Sequence, residues 1–209
     1  KQLLTKLESK GIRGLAFWDN GFKSFSLNTP VKAPADLKGK KMRIQSSKVL
    51  EEQMRALGSL PQVMAFSEVY QALQTGVVDG TENPPSNLYT QKMHEVQKHL
   101  SITNHGYLGY AVVVNKKFWD GLPADVRAAL SKAMAESTKV ANDTAFKDNQ
   151  DALAKVKAAG KTTIYQPTLG ERFLLKKAMF PVHKQMSSRI GEETINEIYK
   201  VTNFDPTKM

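Results

Sequence analysis

Apolar positions between residues 37 and 83 follow a strand-then-helix pattern that occurs twice. The alternation of apolar and polar residues at 42–45 is strand-like, and residues 48–57 have the periodicity of a helix that begins after the capping residues Ser46 and Ser47 and stops at Gly58. The second half predicts a strand at residues 60–66, a helix at 68–75 capped by Ser67, and a third strand at 77–80. The pattern therefore predicts a βαβαβ unit.

Arg43 lies at the predicted end of the first strand, just before a helix begins. In parallel α/β sheets, ligands bind beyond the carboxyl ends of the strands, and a helix N-terminus adds backbone N–H donors. A guanidinium at this place can bind a carboxylate through two parallel hydrogen bonds. The alternative is a structural ion pair with Glu51, Glu52 or Glu82. We expect Arg43 to bind a carboxylate ligand.

Phe66 and Asn83 follow the next two predicted strands, so three strand ends converge on one edge of the sheet. An aromatic ring there can pack on the carbon skeleton of a ligand, and an amide can hydrogen-bond a carboxylate or a hydroxyl. The alternatives are that Phe66 packs in the core and that Asn83, which precedes Pro84, is a turn residue. We expect both side chains to contact the ligand.

The flanking parts of the chain give further elements. A strand at residues 11–17, a turn at 18–21 and a strand at 22–27 precede the unit, and a helix at 86–96 follows it together with strands at 100–102 and 107–114, the last one buried on both faces. Helical periodicity then runs from Pro123 to Gly160, which predicts a helix more than about 50 Å long that contacts two lobes. Shorter elements are predicted at residues 162–165, at 169–186 with an interruption at Pro181, and at 192–201.

The composition and the absence of known motifs argue against several functional classes of protein. The 209 residues carry a formal net charge of +10, but the lysines are spread along the chain and no nucleic-acid-binding motif occurs, so we expect no nucleic acid. No apolar run reaches the roughly 18 residues of a membrane span, so we expect no direct membrane insertion. No motif of a catalytic nucleophile, a phosphate loop or a dinucleotide site is present, so we expect no enzyme, no catalytic residue and no cofactor.

Three histidines raise the question of a metal. His94, His99 and His105 lack the i,i+4 spacing of helical metal ligands, and no cysteine or carboxylate cluster joins them. We therefore expect no metal site, and we interpret these histidines as surface or capping residues.

Four motifs carry a resemblance to a known family. Residues 18–23 (WDNGFK), 36–44 (DLKGKKMRI), 65–74 (AFSEVYQALQ) and 78–84 (VDGTENP) are similar to the extracytoplasmic solute receptors of tripartite ATP-independent periplasmic (TRAP) transporters, in the branch that binds C4-dicarboxylates. The similarity runs in collinear order through essentially the whole chain.

The resemblance implies a fold and a function. The expected fold is an α/β protein of the two-lobed periplasmic binding type, with residues 1–33 in lobe 1, residues 34–103 as the core of lobe 2, and residues 104–209 shared by both lobes. The expected function is a periplasmic, monomeric receptor that closes on a small organic acid, with a C4-dicarboxylate as the expected ligand, and delivers it to the membrane subunits of the transporter. The alternative is an α/β enzyme that acts on a small carboxylate.

The resemblance also adds ligand residues to those derived above. Lys23 occupies a position at which this family has a basic ligand residue, with a solvated surface lysine as the alternative. The complete set of expected ligand-binding residues is Arg43, Asn83, Lys23, Phe66, Ser46, Trp18 and Tyr110, with Tyr107 as an alternative to Tyr110.

The first ten residues contain no signal peptide, and Leu3, Leu4 and Leu7 have the spacing of a helix that is entered midway. We therefore expect an N-terminally truncated chain in which lobe 1 is incomplete. An open sheet edge or an exposed apolar patch should mark that lobe.

Overall fold

A computed structural model describes residues 2–209, and Lys1, the first residue of the predicted partial lobe, lies outside the described residues. Within residues 2–209, six strands form one mixed sheet in the order β3-β2-β4-β1-β5-β6. The strands are β1 (Ile12–Leu27), β2 (Lys41–Ile44), β3 (Leu60–Val63), β4 (Gly80–Asn83), β5 (His99–Asn115) and β6 (Thr163–Tyr165). Strand β2 runs parallel to β3 and β4, β1 runs antiparallel to β4 and β5, and β6 runs parallel to β5.

Ten α-helices connect or cover these strands in the part of the chain that the structure describes. They are α1 (Gln2–Thr5), α2 (Lys48–Ala56), α3 (Val69–Gln74), α4 (Pro85–Thr90), α5 (Lys116–Asp120), α6 (Ala124–Ala159), α7 (Leu169–Met179), α8 (Pro181–Gln185), α9 (Ser187–Ile190) and α10 (Glu192–Val201). Short 3-10 helices occur at Glu8–Lys10, Pro34–Leu37, Phe66–Glu68, Met93–Glu95 and Pro206–Lys208. None of the helices within residues 2–209 is long and apolar enough to cross a bilayer.

Two apolar cores lie on opposite faces of the sheet. On one face, α2 and α7 pack on the buried side chains of Phe25, Met42 and Ile44. On the other face, α3, α4 and the C-terminal part of α6 pack around Leu100 and Val156. Helices on both faces of a mixed sheet confirm the predicted α/β class.

The predicted turn at residues 18–21 is wrong. The chain continues through Trp18 to Gly21 as one strand, and its ladder with β5 is interrupted only by local irregularities. One of these lies between Asp19 and Gly21, where Gly21 adopts a φ of 148°. An Asn-Gly pair thus forms a bulge here, because the partner strand β5 is long enough to pair on both sides of it.

A second irregularity shapes the sheet where β1 meets β4. Lys23 pairs with Gly106, and Phe25 already pairs with Ser101, so Ser24 stands opposite the four residues 102–105, which we call the β5 bulge. The sequence predicted a loop between two strands here, whereas the structure has one strand with this bulge. Asn104 within the bulge has a φ of 48°, in the left-handed region that asparagine tolerates better than most residues.

Residues 12–23 of β1 and 106–115 of β5 form a two-stranded ribbon that extends beyond the other strands. Phe17, Phe22, Tyr107, Tyr110 and Val113 on this ribbon are exposed, which contradicts the prediction that residues 107–114 are buried on both faces. Among the described residues, no third strand pairs with the ribbon. The lobe boundaries at residues 33 and 103, and the incompleteness of lobe 1, stay predictions.

Helix α6 begins after Pro123 and ends at Gly160, as predicted. Its 36 residues are about 54 Å long at about 1.5 Å per residue. Near its middle, Thr138 accepts a hydrogen bond from Trp18 of the ribbon, and near its end Val156 is fully buried in the core with α4. The helix therefore contacts both the ribbon and the central sheet layer.

The third predicted strand is displaced. Val77 and Val78 precede the strand rather than form it, and β4 comprises Gly80–Asn83, so Glu82 and Asn83 lie in the sheet and not in a turn. All four residues of β4 are buried. This shift places two polar side chains in the middle of the sheet, where each needs a partner.

Candidate functional site

Arg43 is buried on the second strand of the sheet. It lies on β2 between β3 and β4, with only 2% of its surface exposed. Its Nε and Nη2 donate to the backbone oxygen of Met64, at 3.1 and 2.8 Å. Among the described residues, Nη1 has no hydrogen-bond partner. The NH2 group at Nη1 of this buried cation, with its two N–H donors, is thus left for another acceptor.

No carboxylate among residues 2–209 forms an ion pair with Arg43. Glu51 pairs with Lys48, Glu52 accepts a hydrogen bond from Gln185, and Glu82 pairs with Lys23. Burial lowers the pKa of Arg43, and the negative charge of Glu82 opposes that shift. The alternative of a structural ion pair is therefore not supported for this arginine.

Phe66 begins the short 3-10 helix after β3, and its ring lies 5.6 Å from the guanidinium carbon of Arg43. This distance is within the range of a cation–π contact. The ring is partly buried and also packs against the core around α3 and α4. Phe66 therefore both packs in the core and forms one side of the Arg43 environment.

Asn83 is 1% exposed and lies at the end of β4. Its Nδ2 donates to Thr81 Oγ1 at 3.1 Å and approaches Met93 Sδ at 3.8 Å. Its Oδ1 has no partner among the described residues. Thr81 pairs directly with Arg43 across the parallel ladder, so Asn83 lies beside the arginine on the same face of the sheet.

A buried charged network lies on the opposite face of the sheet, around Glu82, which precedes Asn83 in β4. Glu82 accepts from Lys23 Nζ at 2.5 Å and contacts His105 Nε2 at 2.7 Å, and His105 Nδ1 contacts Thr103 Oγ1 at 2.7 Å. The side chains of Lys23, Glu82 and His105 are 4%, 0% and 2% exposed. The His105 ring also stacks on Phe25 at a centroid distance of 3.8 Å. These contacts hold the β5 bulge against β4.

The network keeps Glu82 ionised. Burial by itself would raise the pKa of Glu82, but the hydrogen bond and charge of His105 and the ammonium of Lys23 outweigh burial and lower the pKa below its ordinary value. An ionised carboxylate with both oxygens occupied is available neither to a metal nor to a ligand cation. Within the described residues, no group of three or more metal-binding side chains occurs.

Lys23 and the histidines differ from what the sequence suggested. Lys23 is neither a solvated surface lysine nor a free cation, because Glu82 occupies its ammonium. His94 and His105 are buried rather than surface or capping residues. The roles of Glu82 and His105 were not predicted from the sequence. A signal was available for Glu82, because a carboxylate within a short buried strand requires cationic or hydrogen-bonding partners.

Three further predicted residues do not lie at Arg43. Ser46 is exposed, and the cap of α2 is Ser47, whose side chain accepts from the backbone of Leu50. Trp18 donates through Nε1 to Thr138 of α6, at 3.1 Å. Tyr110 is 47% exposed, and its hydroxyl accepts from Asn20 at 2.8 Å. Trp18 and Tyr110 therefore belong to the ribbon and its contacts.

A cavity of about 390 Å³ lies between the ribbon and α6. Its lining is largely apolar, with Phe22, Ile102, Phe146 and Leu153 among its members, and it also carries amide and hydroxyl groups from Asn20, Ser24, Asn104, Asn142, Asn149 and Gln150. Ser24 pairs with Asn83 across the ladder of β1 and β4, so the cavity lies beside the Arg43 and Asn83 pair. The site can therefore offer a small anion one guanidinium, one amide and an aromatic face, next to a cavity whose lining is largely apolar with several amide groups.

The comparisons with known proteins agree on one family. Residues 1–189 match the family described as bacterial extracellular solute-binding protein, family 7. The chain is 65% identical over 202 residues to the C4-dicarboxylate-binding periplasmic protein DctP of Rhodobacter capsulatus, which covers 97% of this chain and 61% of that protein. It is 38% identical over 201 residues to the C4-dicarboxylate-binding protein DctB of Bacillus subtilis, which covers 96% of this chain and 57% of that protein.

Solved structures show the same relationship. A TRAP periplasmic solute-binding protein from Shewanella oneidensis with bound succinate matches with a TM-score of 0.91 and 38% identity, over 93% of this chain and 64% of that chain. One from Pseudomonas aeruginosa with bound L-malate matches with a TM-score of 0.85 and 38% identity, over 88% and 64% of the two chains. The chain thus spans roughly three fifths of the length of the relatives it matches.

Proposed function

Because the chain belongs to family 7 of the bacterial extracellular solute-binding proteins, we propose that the complete protein is a receptor for a small dicarboxylate. It binds the acid in the periplasm and delivers it to the membrane subunits of a TRAP-type transporter. The relatives named above for C4-dicarboxylates and the solved structures with succinate and L-malate support this ligand class. The expected monomeric state is part of the same proposal.

The observation that carries the proposal is the state of Arg43. Arg43 is 2% exposed, its guanidinium forms no ion pair with a carboxylate within the described residues, and its Nη1 NH2 group has no hydrogen-bond partner there. A buried charge without a counter-charge is unfavourable, and an incoming carboxylate removes that penalty. Arg43 therefore anchors one carboxylate of the ligand.

The neighbouring residues have distinct roles in this proposal. Phe66 packs on the carbon skeleton of the ligand, since its ring already faces the Arg43 guanidinium. Asn83 fixes the orientation of the ligand through its amide. Lys23 contributes positive charge for the second carboxylate, and Glu82, which also contacts His105, holds the Lys23 ammonium in place.

Ligand binding closes the site by favouring one arrangement of the two lobes. The lobes are linked by β1, β5 and α6, which all continue from the ribbon into the central layer. A ligand that contacts both lobes binds the closed arrangement more tightly than the open one and so shifts the population toward closure. Exclusion of water then strengthens the contact between Arg43 and the carboxylate.

An α/β enzyme acting on a small carboxylate is not favoured. The relatives named above are described as binding proteins rather than catalysts. Moreover, Glu82 and His105, a buried carboxylate and histidine pair, are already hydrogen-bonded to Lys23 and Thr103.

Thermal unfolding of the complete protein with a panel of acids tests the proposal. Succinate, fumarate and malate should each raise the melting temperature, whereas butyrate, which has four carbons but one carboxylate, should not. A ligand at 100 times its Kd should add about 2.7 kcal/mol to the free energy of unfolding. If butyrate stabilises the protein as much as succinate does, or if no dicarboxylate stabilises it, the proposed ligand class is wrong.

A further inference from the structure

Two buried polar atoms of opposite character are left unpaired on the same face of the sheet. Arg43 Nη1 is a donor without an acceptor, and Asn83 Oδ1 is an acceptor without a donor, among the described residues. Both side chains are at least 98% buried. A carboxylate oxygen accepts hydrogen bonds and cannot donate one, so a carboxylate alone satisfies the arginine but not the asparagine oxygen.

The orientation of the Asn83 amide follows from its neighbours. The nitrogen side faces Thr81 Oγ1 at 3.1 Å and Met93 Sδ at 3.8 Å. A thioether sulfur is a weak acceptor and has no hydrogen to donate, so the NH2 group, and not the oxygen, belongs on that side. The rotated amide would place its oxygen against the sulfur, which has no hydrogen to donate, and the Thr81 hydroxyl would be the one neighbour on that side able to donate to it. The unpaired oxygen therefore points away from Met93.

The two unpaired atoms belong to adjacent strands. Arg43 and Thr81 are direct partners in the parallel ladder of β2 and β4, and the Asn83 amide lies over Thr81. Adjacent strands are about 4.8 Å apart, so a small acid can reach both side chains. A ligand that meets both needs a carboxylate and, on a neighbouring carbon, a hydrogen-bond donor.

We propose that Asn83 determines specificity by accepting a hydrogen bond from a hydroxyl group of the ligand, so that the site favours a hydroxylated dicarboxylate over its unsubstituted analogue. The inference rests on the proposed function. It assigns the hydroxyl to Asn83 Oδ1 and the adjacent carboxylate to Arg43. Without the hydroxyl, binding leaves a buried acceptor unsatisfied, which weakens affinity for the unsubstituted acid.

Succinate and malate form a matched ligand pair because they differ by one hydroxyl. Isothermal titration calorimetry on the complete protein gives the ratio of their dissociation constants, measured with both enantiomers of malate. We expect the preferred enantiomer to bind about tenfold more tightly than succinate, which is the effect of one satisfied neutral hydrogen bond in a buried site. A ratio within twofold of unity for both enantiomers overturns the inference.

Two variants separate the acceptor from the fold. Asn83→Leu keeps the approximate size and removes the acceptor, so the ratio should fall to about one whatever happens to the absolute affinities. Asn83→Asp keeps an acceptor at the same place, so both acids should bind more weakly because of its charge while malate stays preferred. If Asn83→Leu does not fold, Asn83→Ala takes its place.

Ser26→Ala is the matched control. Ser26 Oγ is also a buried oxygen without a partner among the described residues. Ser26 pairs with Thr81, so it lies further from the carboxyl end of β4 than Asn83 does. This variant should keep the wild-type ratio.

A preference for malate that persists in Asn83→Leu means that another group recognises the hydroxyl, which overturns the inference while the proposed function stands. If neither acid binds the wild-type protein, the proposed function is refuted and the inference with it.

Discussion

Replacing Arg43 by methionine separates the two roles that a buried arginine can have. Arg43→Met keeps the volume and the apolar stem but removes the guanidinium. If the guanidinium anchors a ligand carboxylate, its removal leaves that carboxylate without a partner in a buried site. Loss of one partner of such a pair costs about 2–5 kcal/mol, so affinity for the dicarboxylate should fall roughly 30-fold to several thousand-fold.

The stability of the ligand-free protein should change much less. Replacing a buried ion pair by apolar residues of similar volume is neutral or stabilises the fold by about 1–4 kcal/mol, and removal of an arginine that has no carboxylate partner should fall in the same range. Against this, the backbone oxygen of Met64 loses the two hydrogen bonds that Arg43 donates to it, which costs about 1–3 kcal/mol. The two effects offset each other, so the free energy of unfolding should stay within about 2 kcal/mol of wild type, or within about 8 °C in melting temperature.

Calorimetry and thermal unfolding on three variants provide the measurement. Arg43→Lys should recover part of the affinity, because a point charge cannot reproduce the planar fork of the guanidinium. Arg55→Met makes the same change in net charge at an exposed position of α2 and should bind like wild type. The reasoning is refuted if Arg43→Met loses several kcal/mol of stability yet binds the ligand within threefold of wild type.

Three further predictions concern stability. The pKa of Glu82 is lower in the folded chain than its ordinary value, so ionised Glu82 stabilises the fold above about pH 4.3, and this stabilisation is lost as the pH falls through the folded pKa. In Glu82→Gln, the free energy of unfolding in urea should therefore fall less steeply below about pH 4.3 than in wild type, and an equally steep fall would contradict this. Burial and the charge of Lys176 lower the pKa of His183, so the unfolded state binds more protons than the folded state as the pH falls below about 6.5. The free energy of unfolding should therefore decline less between about pH 7 and 5 in His183→Gln than in wild type, and a decline as steep as wild type would count against this. Gly80→Ala places a Cβ 2.5 Å from the backbone oxygen of Ser26 and should lower the free energy of unfolding by about 1–3 kcal/mol. In the control Gly170→Ala, the atom nearest to the new Cβ is 4.0 Å away, and the free energy of unfolding should rise by up to about 1 kcal/mol. Equal effects of the two variants would show that the sheet relaxes freely at Gly80.

Elements with local end signals could be predicted from the sequence. Helix α6 has a proline before its first residue and a glycine in the left-handed region after its last, and helix α10 matches its predicted bounds, residues 192–201. Such signals act within a few residues, so the sequence alone contains them. The positions of Arg43 and Phe66 at strand ends followed from the same kind of pattern.

Features that depend on the partner strand could not be predicted in this way. Asn20-Gly21 is a strong turn signal, but the long pairing of β1 with β5 overrides it and converts it into a bulge. The burial of His105 depends on contacts with Glu82 and Phe25, which lie 23 and 80 positions away in the chain. No local periodicity contains such pairings, and for this reason the histidine was interpreted as a surface residue.

The contact between Trp18 and α6 gives the protein an intrinsic optical reporter. The sequence has two tryptophans, of which Trp119 is 6% exposed in α5 and Trp18 is half-buried, with its indole N–H bound to Thr138. Indole emission depends on the polarity around the ring, so a displacement of the ribbon along α6 changes the fluorescence of Trp18 and leaves that of Trp119 nearly constant. In a Trp119→Phe background, stopped-flow emission therefore follows the ribbon in real time, without an attached dye.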